Sequence, residues 1–128
     1  MIAVDTSALM AILRKEQLGE ACEAALRTDQ PILMSAATLA ECLIVARRKQ
    51  ALPGMNVLLE LLELQIIDVT PDKARAAADA YAKWGKGFHD ADLNYGDCFS
   101  YVVAKDNDCP LLYVGNDFAM TDIRSALG

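Results

Sequence analysis

The chain reads as a three-layer α/β domain, with helices on both faces of a mostly parallel sheet of four to five strands. Three observations predict this. Short apolar runs alternate with longer segments of helical periodicity, the pattern of strands joined by crossover helices. The first apolar run, Ile2-Ala3-Val4, ends in Asp5, Thr6 and Ser7 with a helix opening behind them, which holds a carboxylate at the carboxyl end of a strand, the usual ligand edge of an open α/β sheet. With 128 residues and 54% apolar content, the whole span 1–128 is expected to fold as one domain with a real core.

In order, the first strand leads into a short helix from Ser7 to Arg14, with Thr6 or Ser7 as its N-cap. Leu18, Ala21, Cys22, Ala25 and Leu26 recur at helical spacing and predict a second helix from Leu18 to Arg27. Asp29-Gln30-Pro31 is a turn, and Ile32-Leu33-Met34 is the second strand. Ser35 then caps a long helix from Ala36 to Gln50, which Leu52-Pro53-Gly54 breaks. The following helix, Met55 to Leu64, has only Asn56, Glu60 and Glu63 as polar residues. A helix apolar on more than one face is buried on more than one face, either wholly inside or against a partner as well as the core. Ile66-Ile67-Asp68-Val69 is the third strand, and Pro71 opens a helix to Trp84 whose alanines allow close packing. A polar loop from Gly85 to Tyr95 precedes a helix from Gly96 to Lys105. Leu111 to Val114 is the fourth strand, Gly115-Asn116-Asp117 turns into a short helical segment, and Ile123 starts a brief fifth edge strand.

Composition excludes several classes. No apolar stretch reaches the ~20 residues that span a bilayer, and Asp5 interrupts any leader pattern, so a cytoplasmic protein is expected. Cys22, Cys42, Cys98 and Cys109 are scattered without a Cys-x-x-Cys pair; they read as reduced core thiols, not a zinc site. His89 stands alone and reads as a surface loop residue. A net charge of −6 opposes phosphate-backbone binding unless the acids are gathered and offset by cations. Basic clusters remain at Arg14-Lys15, Arg47-Arg48-Lys49 and Lys83 with Lys86, each suited to a solvated helix end.

Four acids stand out, and each has an ordinary structural role beside a chemical one. Asp5 closes a strand before a helix cap. Glu41 lies on a stripe with Thr38, Cys42 and Val45, with no arginine at i±3 or i±4, and a charge on such an inward stripe is costly unless paired or metal-bound. Asp97 follows Asn94 at capping-box spacing. Asp117 sits in ordinary turn chemistry after the fourth strand. Their joint placement is what carries information. Two leave the carboxyl ends of the first and fourth strands, and two lie near the starts of helices, all at one edge of a doubly wound sheet. Gathered carboxylates repel unless a cation intervenes, and hard divalent cations such as Mg²⁺ prefer that all-oxygen setting. Metal-assisted phosphodiester hydrolysis is the chemistry best served.

With these residues in place, the chain resembles the PIN-domain ribonucleases, specifically the VapC toxins of type II toxin–antitoxin systems. The matching segments are Val4-Asp5-Thr6-Ser7-Ala8-Leu9, Thr38-Leu39-Ala40-Glu41, Leu93-Asn94-Tyr95-Gly96-Asp97-Cys98-Phe99-Ser100-Tyr101, and Leu111 to Phe118 with Thr121-Asp122-Ile123. The resemblance implies a PIN-like fold and a Mg²⁺-dependent endoribonuclease, with Mn²⁺ able to substitute. It implies Asp5, Glu41, Asp97 and Asp117 as the acidic site, Thr6 as a supporting hydroxyl, a homodimer, an RNA substrate such as tRNA or rRNA, and a cognate VapB-type antitoxin. Some relatives carry an acid where this chain has Asn116, so one metal or two are both open. A haloacid-dehalogenase-type phosphatase would want a second aspartate where Ser7 stands. A receiver domain would use Asp68 but want paired acids and a lysine that are missing. A catalytically inactive PIN-like binding module would lack a site acid, and none is missing.

Overall fold

The computed structural model describes all residues 1–128. Four strands, β1 (Ile2–Val4), β2 (Ile32–Ser35), β3 (Gln65–Ile67) and β4 (Leu111–Leu112), form one all-parallel sheet in the order β3-β2-β1-β4. The six helices are α1 (Thr6–Leu13), α2 (Gly19–Leu26), α3 (Ala36–Arg48), α4 (Leu52–Leu62), α5 (Pro71–Trp84) and α6 (Tyr95–Asp106). Side chains of successive strand residues leave opposite faces, and the core divides accordingly. Ile2, Val4, Ile32, Met34 and Leu112 pack with Leu9, Cys22, Cys42, Ala46 and Met55 from α1 to α4. Ala3, Leu33, Leu111 and Tyr113 pack with Ala77, Ala80, Phe99 and Val102 from α5 and α6. The expected three layers are present.

The connection order fixes where a ligand edge can form. From β1 the chain steps outward to β2 and β3 through helices on one face. It then crosses to the opposite edge as β4, through helices on the other face. The carboxyl ends of β1 and β4 therefore flank the point where the winding reverses, the crevice in which open α/β sheets bind ligands. Asp5 follows β1, and Asp117 lies five residues beyond β4.

Several boundaries differ from those the sequence predicts, each for a local reason. Asp5, not Thr6 or Ser7, is the N-cap of α1: its backbone is extended and its carboxylate accepts the Ser7 N–H. Helix α3 ends before Pro53 as expected, but α4 starts at Leu52 and not Met55, with Pro53 and Gly54 inside its first turn; the first N–H groups of a helix have no internal partner, so proline is tolerated there. Strand β3 stops at Ile67 because its partner β2 ends at Ser35, which turns to cap α3; Asp68 and Val69 have nothing to pair with. Strand β4 is two residues long because β1 offers it only Ala3 and Val4. The fifth strand shrinks to a single parallel bridge between Leu111 and Ser125, two residues beyond the expected start at Ile123. Helix α4 is not internal. Only Met55 is fully buried, while Val57 and Leu61 face outward, so its second apolar face is uncovered in the single chain.

All four cysteines are free and buried, as expected of core thiols. His89 is an exposed loop residue whose Nδ1 accepts the Ala91 N–H. No helix is long and apolar enough to cross a membrane.

Candidate active site

At the carboxyl edge of the sheet, Asp5, Glu41, Asp97 and Asp117 line one open depression of about 360 Å³, together with Thr6, Ser7, Met10, Glu16, Val45, Asn94 and Val114. Asn116 is exposed and does not line it; its carbonyl accepts the Ala119 N–H in the turn after β4.

Asp5 is 4% exposed and tied at both oxygens. Oδ2 accepts the Ser7 N–H at 3.1 Å and the Ser7 hydroxyl at 2.7 Å; Oδ1 accepts the Ser100 hydroxyl at 2.6 Å. The proton directions follow from valence. Ser100 has one hydroxyl proton, and a carboxylate only accepts, so that proton points to Asp5. The 3.2 Å contact between Thr38 and Ser100 must then run from the Thr38 hydroxyl into Ser100. Thr38 and Ser100 are both almost wholly buried and form a one-way chain ending on Asp5. Ser7 is fixed in the same way: its oxygen accepts the Val114 N–H at 3.0 Å, so its proton goes to Asp5. The backbone beyond β4, which leads to Asp117, is thereby joined to the first turn of α1.

Glu41 projects from α3 toward the depression. Its Oε1 accepts the Thr6 hydroxyl at 2.8 Å. Burial raises its pKa, the Thr6 bond lowers it, and repulsion from Asp5 raises it again, with a net rise. Gly96, in the first turn of α6, lies directly against this carboxylate: a Cβ there would collide with Glu41 Oε2 and stand 2.9 Å from its Cδ. The inward glutamate with no basic partner is thus held by a hydroxyl and a bare backbone.

Asp97 has the capping role its spacing predicts. Its Oδ2 accepts the Asn94 N–H at 3.0 Å, while Asn94 Oδ1 accepts the Asp97 N–H at 2.8 Å. No hydrogen bond is made to Oδ1. Burial raises the Asp97 carboxyl to about 7, against the lowering effect of the Asn94 bond and with further repulsion from Asp5, Asp117 and Glu41. Asp97 therefore feels the charge of the other three acids, and Glu41 that of Asp5. Asp117 is exposed and makes no side-chain hydrogen bond, so it is the least constrained of the four.

The PIN domain profile matches residues 2–123. The chain belongs to the PIN domain family. Within the family its relatives are VapC ribonucleases. It is 43% identical over 127 residues to VapC ribonuclease Mb0640 of Mycobacterium bovis and equally to Ribonuclease VapC30 of Mycobacterium tuberculosis, covering 97% of each protein and 97% of this chain. Ribonuclease VapC of Mycolicibacterium smegmatis is 42% identical over 127 residues, with 97% of this chain and 98% of that protein covered. Among solved structures, the chain superposes on the sarcin-ricin loop cleaving toxin VapC20 of M. tuberculosis with a TM-score of 0.75. That match covers 96% of both chains at 18% identity, a likeness of fold. The protein is a VapC ribonuclease of the toxin–antitoxin class, and the phosphatase and receiver readings fall away.

The PIN scaffold explains which supporting residues sequence reasoning passes over. Ser100 reads from the sequence only as a neighbour of Asp97 on one helix face, yet it touches Asp5, 95 positions away. Gly96 reads as the opening residue of a helix, yet it makes room for Glu41. Glu16, from the turn after α1, reaches the rim of the depression without any motif to announce it. A larger apolar trough of about 520 Å³ between α5 and α6 holds no carboxylate or imidazole for acid–base work, so it is not the reaction centre.

The donor set suits a hard divalent cation. It is all oxygen, and its charges repel one another while drawn together in a half-buried place. No three of the carboxylates already converge on one point that would hold an ion. Mg²⁺ does not need them to, since it is commonly held by one or two carboxylates and completes its shell with water.

Proposed function

We propose that Asp5, Glu41, Asp97 and Asp117 are the catalytic acids of a Mg²⁺-dependent endoribonuclease, with Mn²⁺ able to replace Mg²⁺, and that the chain acts through this site as one PIN domain. The observation that carries the reading is the shared depression. Four carboxylates meet there at the winding reversal of the sheet, without a basic residue among the lining side chains to neutralise them. Bound at these acids, the cation would supply an activated water and offset the charge of the phosphodiester.

The chain's own residues prepare the site. Ser7 and Ser100 hold Asp5 in one orientation, and Thr6 does the same for Glu41. Asp97 spends one oxygen on the α6 cap and keeps the other free of hydrogen bonds. Fixed acceptors of this kind cost no reorganisation when charge develops, which is the main source of electrostatic catalysis. The substrate class is folded RNA of the translation machinery, tRNA or rRNA, cleaved to inhibit translation. A VapB-type antitoxin and a second copy of the chain complete the assembly in the cytoplasm, and the uncovered apolar face of α4 is consistent with a protein partner.

The test is cleavage of purified tRNA and rRNA with Mg²⁺ or Mn²⁺, beside chelator and beside Asp97→Asn. Cleavage is expected only with metal and is lost in the variant; undiminished cleavage by Asp97→Asn overturns the assignment.

A further inference from the structure

An acidic centre repels the phosphates of its own substrate, so cations must hold RNA somewhere nearby. Met10 of α1 and Val45 of α3 both line the depression beside the acids. Both helices start at the carboxyl edge of parallel strands and run away from it side by side, with Thr6 touching Thr38 and Glu41 at their near ends. Arg14 stands seven residues after Ser7, and Arg48 stands seven residues after Glu41. At 3.6 residues per turn, each arginine returns to within roughly 20° of the helix face that carries its acid-site residue, about 10 Å further along. Both are exposed.

Resting on the reading above, we propose that Arg14 and Arg48 form a phosphate-binding end of the depression, which grips the RNA backbone beyond the scissile bond. Their lack of partners supports this. The chain has 18 acids and 12 lysines and arginines, yet its four ion pairs use Arg27, Lys73, Lys105 and Arg124. Arg14 and Arg48 are among the remaining eight cations that no carboxylate engages, so both are free to meet a phosphate. Service to the helix dipole does not account for the placement. Arg47 shares the last turn of α3 and serves the dipole equally, but it lies roughly 120° away from Glu41 around the helix. Arg14 and Arg48 do not line the depression itself; they continue the two helix faces whose Met10 and Val45 do.

The experiment measures binding of a fluorescently labelled RNA stem-loop by anisotropy in chelator, where cleavage is silent, over a range of salt concentrations. Loss of phosphate contacts to a single strand lowers the slope of log affinity against log salt by about 0.7 per contact. The double variant Arg14→Ala/Arg48→Ala is therefore expected to lose about 1.4 from the wild-type slope and to bind more weakly at low salt. Arg14→Lys/Arg48→Lys is expected to restore most of that slope, and Arg47→Ala to keep the wild-type value. With Mg²⁺ present, the double alanine variant is expected to raise KM with little change in kcat. An unchanged slope in the double variant, an equal loss in Arg47→Ala, or no binding of the stem-loop by the wild type overturns the proposal. The two readings separate. A wild type that cleaves RNA but whose binding ignores both arginines defeats this inference alone. A wild type that binds through them but never cleaves with metal supports it and defeats the nuclease assignment.

Discussion

Gly96 and Ser100 bring no charge to the depression, yet each sets where a charge can sit. In a helix, alanine is favoured over glycine by up to ~1 kcal/mol, so Gly96→Ala would ordinarily stabilise α6. Here the added carbon meets the Glu41 carboxylate, the movable end of a flexible side chain. The fold therefore yields by displacing Glu41 from Thr6, not by unfolding. Gly96→Ala is expected to keep or raise the melting temperature while lowering Mn²⁺ affinity about 10–100-fold, the usual cost of disturbing the surroundings of a metal ligand. Ser100→Ala should give a different pattern. It removes a donor to Asp5 and leaves the buried Thr38 hydroxyl without its acceptor, which costs about 1–3 kcal/mol of stability. Calorimetry and Mn²⁺ titration are expected to show both properties falling together. A variant of Ser100 with wild-type metal affinity would show that Ser7 alone suffices to orient Asp5.

At the scale of elements, the first turn of α6 caps its helix with the same aspartate that we propose for the catalytic site, and two substitutions separate the two roles. Asp97→Asn keeps a carbonyl oxygen able to accept the Asn94 N–H, whereas Asp97→Ala loses that half of the capping box. Both are expected to abolish cleavage. Only the alanine variant should also lose about 1 kcal/mol of stability from the missing cap, readable as a urea midpoint below that of the asparagine variant. This double use explains what was legible beforehand. Asp97 looks like a cap because it is one, and Asp5, read as the residue before a cap, is itself the cap of α1, so the metal-site reading does not compete with the structural one. The strand–helix alternation and the meeting of the four acids were readable because apolar period and strand-end position determine them. The Ser100–Asp5 bond and the fit of Gly96 under Glu41 were not. Both join elements distant in the chain, and neither residue type signals anything locally. The boundaries that shifted, at α4, β3 and β4, did so because pairing partners and helix-start tolerance decide ends that propensity leaves open.

The whole molecule carries a stability cost that its site imposes. Asp97 ionises near its ordinary value, 3.8, in the unfolded chain but is held up to about 7 in the fold, by burial first and by its acidic neighbours after. Below pH 3.8 both states hold the proton. Between about 4 and 7 the unfolded chain has released it while the folded one has not, so the unfolded state binds fewer protons and stability falls as pH rises. Without metal, this carboxyl makes the protein less stable at pH 8 than at pH 5. A divalent cation reverses the sign, because it binds the ionised cluster of the folded state and not the dispersed acids of the unfolded one. At one hundred times its dissociation constant it adds about 2.7 kcal/mol. Urea denaturation in chelator is expected to give a lower midpoint at pH 8 than at pH 5. Mg²⁺ should raise the pH 8 midpoint, and Asp97→Asn should flatten the chelator difference by removing the titrating group. Because the asparagine also ends the repulsion from Asp5, Glu41 and Asp117, that variant should be more stable than wild type at pH 8 in chelator while cleaving nothing. Stability in wild-type protein that climbs from pH 5 to pH 8 in chelator would mean that the four acids do not strain the fold and have no electrostatic need of a cation among them.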